Sequence, residues 1–201
     1  MTPRAAATIL AFVLLPSLLA SEKKEWMKLD DCHYVEWQDN DGDSFRVRCG
    51  EKEFTARLYY VDAAETNLRH GDRVREQSLH FGVSLDETLN AGEKAKQRVK
   101  EFLQKPFVTW TRWATAGGRG RESRYYVIIE VDGKNLAEIL VSEGLARTKG
   151  VSVLTPSGEK GKEFMEHLDD LEKTAAEKRV GAWSKSKIDT ASPTPTATAS
   201  P

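Results

Sequence analysis

The first half of the chain is built from short alternating runs of apolar and polar residues. His33–Trp37 and Ser44–Cys49 are two such runs, with Asp39-Asn40-Asp41-Gly42-Asp43 between them. Asn, Asp and Gly joining alternating runs predict a β-hairpin. With its turn near Asp41-Gly42, Cys32 and Cys49 lie at comparable distances on opposite strands and are expected to form a disulfide. A third strand is predicted over Phe54–Val61, after the polar turn Gly50–Glu53. The stretch from Asn67 to about Leu85 is polar, carries Arg69, His70, Arg73, Arg75 and His80, and reads as a functional or mobile connection.

The spacing then changes from two to between three and four. Ala95, Val99, Phe102 and Leu103 mark one face of a helix over Ala91–Gln104, stopped by Pro106. Phe107–Trp113 and Tyr125–Val131 read as strands on either side of a basic, glycine-rich loop, Gly117–Arg121. Asn135, with Glu138 completing a capping box, predicts a short helix that Gly144 ends. Phe164, Leu168, Leu171 and Ala175 give the buried stripe of a last helix over Glu159–Lys178. Five strands and three helices in this order fit a mainly-β α+β domain, a small closed or nearly closed barrel with helices packed outside.

The termini differ in composition. Arg4, an apolar run from Ala5 to Leu15 and a small residue at Ala20 describe a secretory signal peptide over residues 1–20, too short for a comfortable membrane span. The alternative is an uncleaved anchor. Cleavage gives a secreted, periplasmic or cell-envelope protein, with two cysteines free to pair. Residues 21–31 form a lead-in, 32–188 the folded domain and 189–201 a Thr/Pro-rich tail expected to be disordered. Lys and Arg (30) nearly balance Asp and Glu (31), so no global basic excess marks a nucleic-acid coat. A local basic groove remains compatible with that balance.

The candidate chemistry surrounds the first three strands. Asp43 opens the second strand, Arg57 lies in the third, and Asp62 and Glu65 follow it, separated by Ala63 and Ala64. Oxygen ligands without clustered His or Cys favour Ca²⁺ or Mg²⁺ over zinc. Glu65 suits a general base acting on water, and Arg57 suits paired hydrogen bonds to a phosphate. Each residue also has an ordinary reading: a turn, a solvated loop carboxylate, a surface ion pair.

Taken together, Asp41-Gly42-Asp43-Ser44-Phe45, Arg57-Leu58 and Val61-Asp62-Ala63-Ala64-Glu65-Thr66 resemble the staphylococcal nuclease (thermonuclease-like) family. The intervals agree: 14 residues from Asp43 to Arg57, 5 to Asp62 and 3 to Glu65. The likeness continues through Arg124, Asp132–Leu136, Leu140–Ala146 and Gly181–Ser184. It implies an OB-type five-stranded β-barrel with three packed α-helices, in agreement with the elements predicted above. It also implies a Ca²⁺-dependent nuclease, acting as a monomer on DNA, RNA or both and leaving 3′-phosphate ends. Asp43, Asp62 and the Ala63 carbonyl would hold Ca²⁺, Glu65 would act on water, and Arg57 and Arg124 would grip the phosphate. The alternative is a non-catalytic domain of the same fold that binds nucleic acid or another partner.

The chain departs from the family pattern in three places. Ala64 stands where proline is common before the glutamate. Arg124 follows Ser123 rather than Gly, so Arg121 and Arg119 compete with it for the second arginine's role. Gly150 and Ser152 stand where nucleotide-contacting tyrosines are expected, so the basic segments Arg69–Arg75 and Arg119–Arg124 are alternative phosphate contacts. Trp37, Trp110 and Trp113 read as core or strand-face residues, and His70 and His80 as isolated histidines without a site.

Overall fold

The computed structural model describes residues 25–117 and 123–188; the expected signal peptide, the tail, Arg119 and Arg121 lie outside them. Long strands alternate with turns through the first half. They are β1 (Met27–Val35), β2 (Ser44–Cys49), β3 (Lys52–Leu58) and the short β4 (Val61–Ala63). Helices α1 (Gly71–Phe81) and α2 (Leu85–Phe102) follow, then β5 (Phe107–Ala116), β6 (Arg124–Val131) and β7 (Lys134–Asn135). Helix α3 (Leu136–Ser142), β8 (Ala146–Thr148) and α4 (Gly161–Glu177) complete the domain.

The main sheet runs β3-β2-β1-β5-β6-β7, and a parallel β3–β6 pairing closes five of its strands into a ring. Closure removes the exposed edges that an open sheet would carry. Two irregularities curve it: a register shift in β1 between Leu29 and Cys32, with Asp31 at φ 55°, and one in β5 between Thr111 and Thr115, with Trp113 at φ 51°. Polar Lys28, Asp30 and Asp31 hide the start of β1 from an alternation reading, which is why the strand is longer than expected. The barrel interior holds Phe45, Val47, Ala56, Leu58, Val127 and Ile129, and α2, α3 and α4 cover it through Val99, Leu140 and Leu168.

Cys32 and Cys49 are register partners across β1 and β2 and form the expected disulfide. No helix among the described residues is long and apolar enough to cross a membrane. The disulfide is compatible with an exported protein.

Two elements differ from expectation. The predicted third strand breaks at Tyr59-Tyr60, where Tyr60 takes φ 69° and its Oη donates to the Val153 carbonyl at 2.8 Å. The chain therefore turns, and β4 pairs with β8 instead of extending β3. The polar stretch from Asn67 is not a loop but a 3-10 turn, Leu68–His70, and α1, a fourth helix. It buries only Val74, Gln77 and Phe81, too little apolar surface for a periodicity argument. Asn135 caps α3 as expected, its side chain accepting from Ala137 N, but Glu138 meets His167 rather than closing a capping box. A capping box occurs at Ser84 and Glu87, so α2 begins six residues earlier than the apolar pattern indicated.

Candidate functional site

Asp43, Arg57, Asp62 and Glu65 meet where the hairpin turn, the β3–β4 corner and α1 come together. The turn is shaped by Asp41, whose carboxylate accepts the N–H groups of Asp43 at 3.0 Å and Ser44 at 2.6 Å. Gly42 is required by packing: a Cβ there would lie 2.6 Å from Ala95 Cβ and 2.7 Å from Ala63 Cβ. The turn can therefore lie flat against α2 and β4, which brings Asp43 Oδ2 to the Ala63 N–H at 2.8 Å. Arg57 is the register partner of Ser44; its Nη1 donates to Asp43 Oδ1 and its Nη2 to Asp62 Oδ1 at 3.3 Å.

Asp62 is the register partner of Arg147 across β4 and β8, and Arg147 Nε and Nη2 both donate to Asp62 Oδ2, at 2.9 and 2.8 Å. Arg73 Nη2 donates to Asp62 Oδ1 at 2.6 Å, and its Nε lies 2.8 Å from Glu65 Oε1. Gln77, one helical turn after Arg73, is fully buried. Its amide donates to Ala63 O at 2.9 Å and Asp62 Oδ2 at 3.2 Å, while its Oε1 accepts the Glu65 N–H at 2.9 Å. Helix α2 presses on the same segment through Gly92, where a Cβ would stand 2.6 Å from Ala64 O. Arg124 opens β6 at this end of the barrel; its Nη1 lies 3.5 Å from Ser44 Oγ and its Nη2 donates to Gly117 O.

The electrostatics follow from burial plus pairing. Burial raises the Asp43 carboxyl to about 8; Arg57 opposes this, while Asp41 and Asp62 add to it. Burial also raises Glu65; Arg73 pulls it down, and Asp43 and Asp62 push it up. Asp62 goes the other way, held below its ordinary range against burial by Arg73, Arg147 and Arg57. Arg57 stays above its ordinary value because Asp43, Asp41 and Asp62 outweigh its desolvation. Asp62 is therefore the firmly ionised member, while Asp43 and Glu65 are both raised above the ordinary carboxylate range.

Beside this network opens a cleft of about 200 Å³, lined by Arg57, Asp62, Arg73, Glu76, Arg147, Lys149 and Gly150. Four cations around a small concavity suit an anion such as a phosphate. Gly150, at φ 135°, contributes no side chain to its wall.

The oxygens around Asp62 are already engaged within the protein. Asp62 receives five donor contacts, two on Oδ1 and three on Oδ2. A carboxylate offers about four lone-pair positions, so Asp62 has none left. The Ala63 carbonyl is engaged by Gln77, and three guanidinium groups face the three carboxylates Asp43, Asp62 and Glu65. No group of three or more His, Cys, Asp or Glu side chains among the described residues is arranged to hold a metal ion. In this conformation the oxygens do not fit a dication.

Sequence reasoning missed Arg147 and Gln77 and placed Arg73 only within a basic segment. Arg147 directly follows the Gly144-Leu145-Ala146 motif, and that adjacency was the available signal. Gln77 gave none, because its role depends on α1 forming. His80 is not isolated: its Nε2 lies 2.6 Å from Glu172 Oε1 and its ring contacts Phe81 and Trp183. Arg69 and Arg75, offered as phosphate contacts, pair with Asp39 and Asp72. Trp110 and Trp113 pack against the barrel core, whereas Trp37 is 43% exposed under the Arg46 guanidinium.

No curated protein matches the chain significantly. The family model described as staphylococcal nuclease homologue matches residues 55–185, more than half of the chain. The match begins after Asp43, so the hairpin carboxylate joins the site through the fold and the sequence intervals. On this match the chain belongs to the staphylococcal nuclease homologue family.

Proposed function

We propose that the protein is a nuclease that hydrolyses phosphodiester bonds of DNA, RNA or both. The observation that carries this reading is the convergence of Arg57, Glu65 and the cationic cleft on one end of the barrel. Arg57 and Arg124 would hold the phosphate oxygens by paired hydrogen bonds and stabilise the charge that grows on them. Glu65 would take a proton from water as its oxygen bonds to phosphorus. The bond from phosphorus to the 5′ oxygen breaks, that oxygen takes up a proton, and a 3′-phosphate end remains. The raised Glu65 carboxyl supports a base role, since a carboxylate nearer neutrality accepts a proton more readily.

Calcium enters through the family alone. Asp43, Asp62 and the Ala63 carbonyl are the oxygens the resemblance assigns to it, and all three accept from other donors here. That commitment favours a second reading, a domain that binds nucleic acid without cutting it. Incubating the mature protein with single-stranded DNA and with RNA, in Ca²⁺ and in EDTA, separates the two. Cleavage of either substrate supports the nuclease; binding without cleavage by folded protein contradicts it.

A further inference from the structure

Helix α1 reaches the site with two side chains four residues apart, and the two are not equivalent. Gln77 is fully buried and fixed, with its amide shared among Asp62, Ala63 and Glu65. The Arg73 side chain is 44% exposed, lines the open cleft, and bridges Asp62 Oδ1 to Glu65 Oε1. A cation placed between those two oxygens would need the space and the lone pairs that the Arg73 guanidinium uses. We propose that Arg73 is an internal competitor for a divalent cation, so that the dication and the guanidinium are alternative occupants of the Asp62–Glu65 pair. The inference rests on the nuclease reading only for its purpose; the competition itself is a property of these oxygens.

Release of Arg73 frees what a cation needs without dismantling the site. Asp62 Oδ1 would keep only the long 3.3 Å contact to Arg57, and Glu65 Oε1 would lose its Arg73 partner. Arg147 and Gln77 bind the other Asp62 oxygen and would continue to orient the carboxylate. The helix itself need not move. Its last turn is held by His80 against Glu172 on α4, and Glu172 Oε2 also accepts the Thr148 N–H at 2.6 Å. A change of side-chain rotamer toward the cleft is enough, and that cleft is where a phosphate would offer the guanidinium a new anionic partner. Substrate binding and cation loading would then favour one another, because each relieves the contact that excludes the other.

The test is calorimetric titration of the full mature chain with CaCl₂, without nucleic acid, after confirming folding by thermal unfolding. Arg73→Ala and Arg73→Met are each expected to bind Ca²⁺ at least tenfold more tightly than wild type. Arg75→Ala removes the same charge from the exposed side of α1 and should leave the affinity at the wild-type value. Asp62→Asn in the Arg73→Ala background should abolish the added binding. Equal or weaker Ca²⁺ binding by both Arg73 variants overturns the proposal, as does tightening that survives Asp62→Asn or appears equally in Arg75→Ala. Cleavage is assayed separately. Tightening without any nuclease activity would sink the nuclease reading alone, and cleavage with unchanged Ca²⁺ affinity in both variants would sink the competition alone.

Discussion

The two ends of the β1–β2 hairpin are held by opposite means. At the open end Cys32 and Cys49, facing each other in register, are joined covalently, and Phe107 pairs with Cys32 from β5. At the turn end Asp43 and Asp62 are buried and held by Arg57, Arg73 and Arg147, while the half-buried Asp41 accepts backbone N–H groups. The first arrangement needs no charge. The second puts ionised groups where water is scarce, which costs desolvation that well-packed apolar residues would avoid. That contrast supports the proposed role of the turn end.

Removing one partner from the charged end should have the largest effect on stability. Arg147→Met leaves Asp62 buried and without its bidentate, buried partner, with an expected loss of about 3–5 kcal/mol. Chemical denaturation measures it, and a loss below about 1 kcal/mol would mean that Arg57 and Arg73 already suffice. At the covalent end, Cys32→Ser with Cys49→Ser opens a loop with a sequence separation of 17 and should cost about 3 kcal/mol. Cleavage per folded molecule should not change; if it did, the two ends would not be independent. Gln77→Leu is expected to cost about 1–3 kcal/mol, because Ala63 O and Glu65 N lose a buried partner.

The smallest effect is set by pH at the tether of α1. Glu172 is held below its ordinary range, since the hydrogen bonds from His80 and Thr148 N outweigh burial. Its contribution is therefore complete above the unfolded value of 4.5 and is lost as pH falls through the lower folded value. Unfolding measured from pH 7 down to pH 3 should show this acid loss in wild type and a shallower one in Glu172→Gln. Identical slopes would remove Glu172 from the account.

The covalent end was legible in the sequence and the charged end only in part. Cys32, Cys49 and the Asn-Asp-Gly turn lie within one hairpin, where a period of two fixes which residues face each other. Asp43, Arg57, Asp62 and Glu65 were legible as an interval pattern, because β2, β3 and β4 are consecutive. Arg147 arrives from β8, 85 residues after Asp62, and only the β4–β8 register brings the two together. Arg73 and Gln77 arrive from a helix whose buried face is only Val74, Gln77 and Phe81, so its sequence looks like a polar connection. The turn at Tyr60 was equally hidden, since a tyrosine at positive φ is set by tertiary contacts and not by local preference.

The central claim is that the charged end performs phosphodiester hydrolysis with Glu65 as the group that takes the proton. Its most direct test is single-turnover cleavage of single-stranded DNA and of RNA by wild type and by Glu65→Gln, both shown to be folded and to bind the substrate. The account predicts cleavage by wild type and a loss of about 10²–10⁴ in rate for Glu65→Gln with binding retained. Equal rates in the two proteins, or no cleavage by wild type, would contradict it.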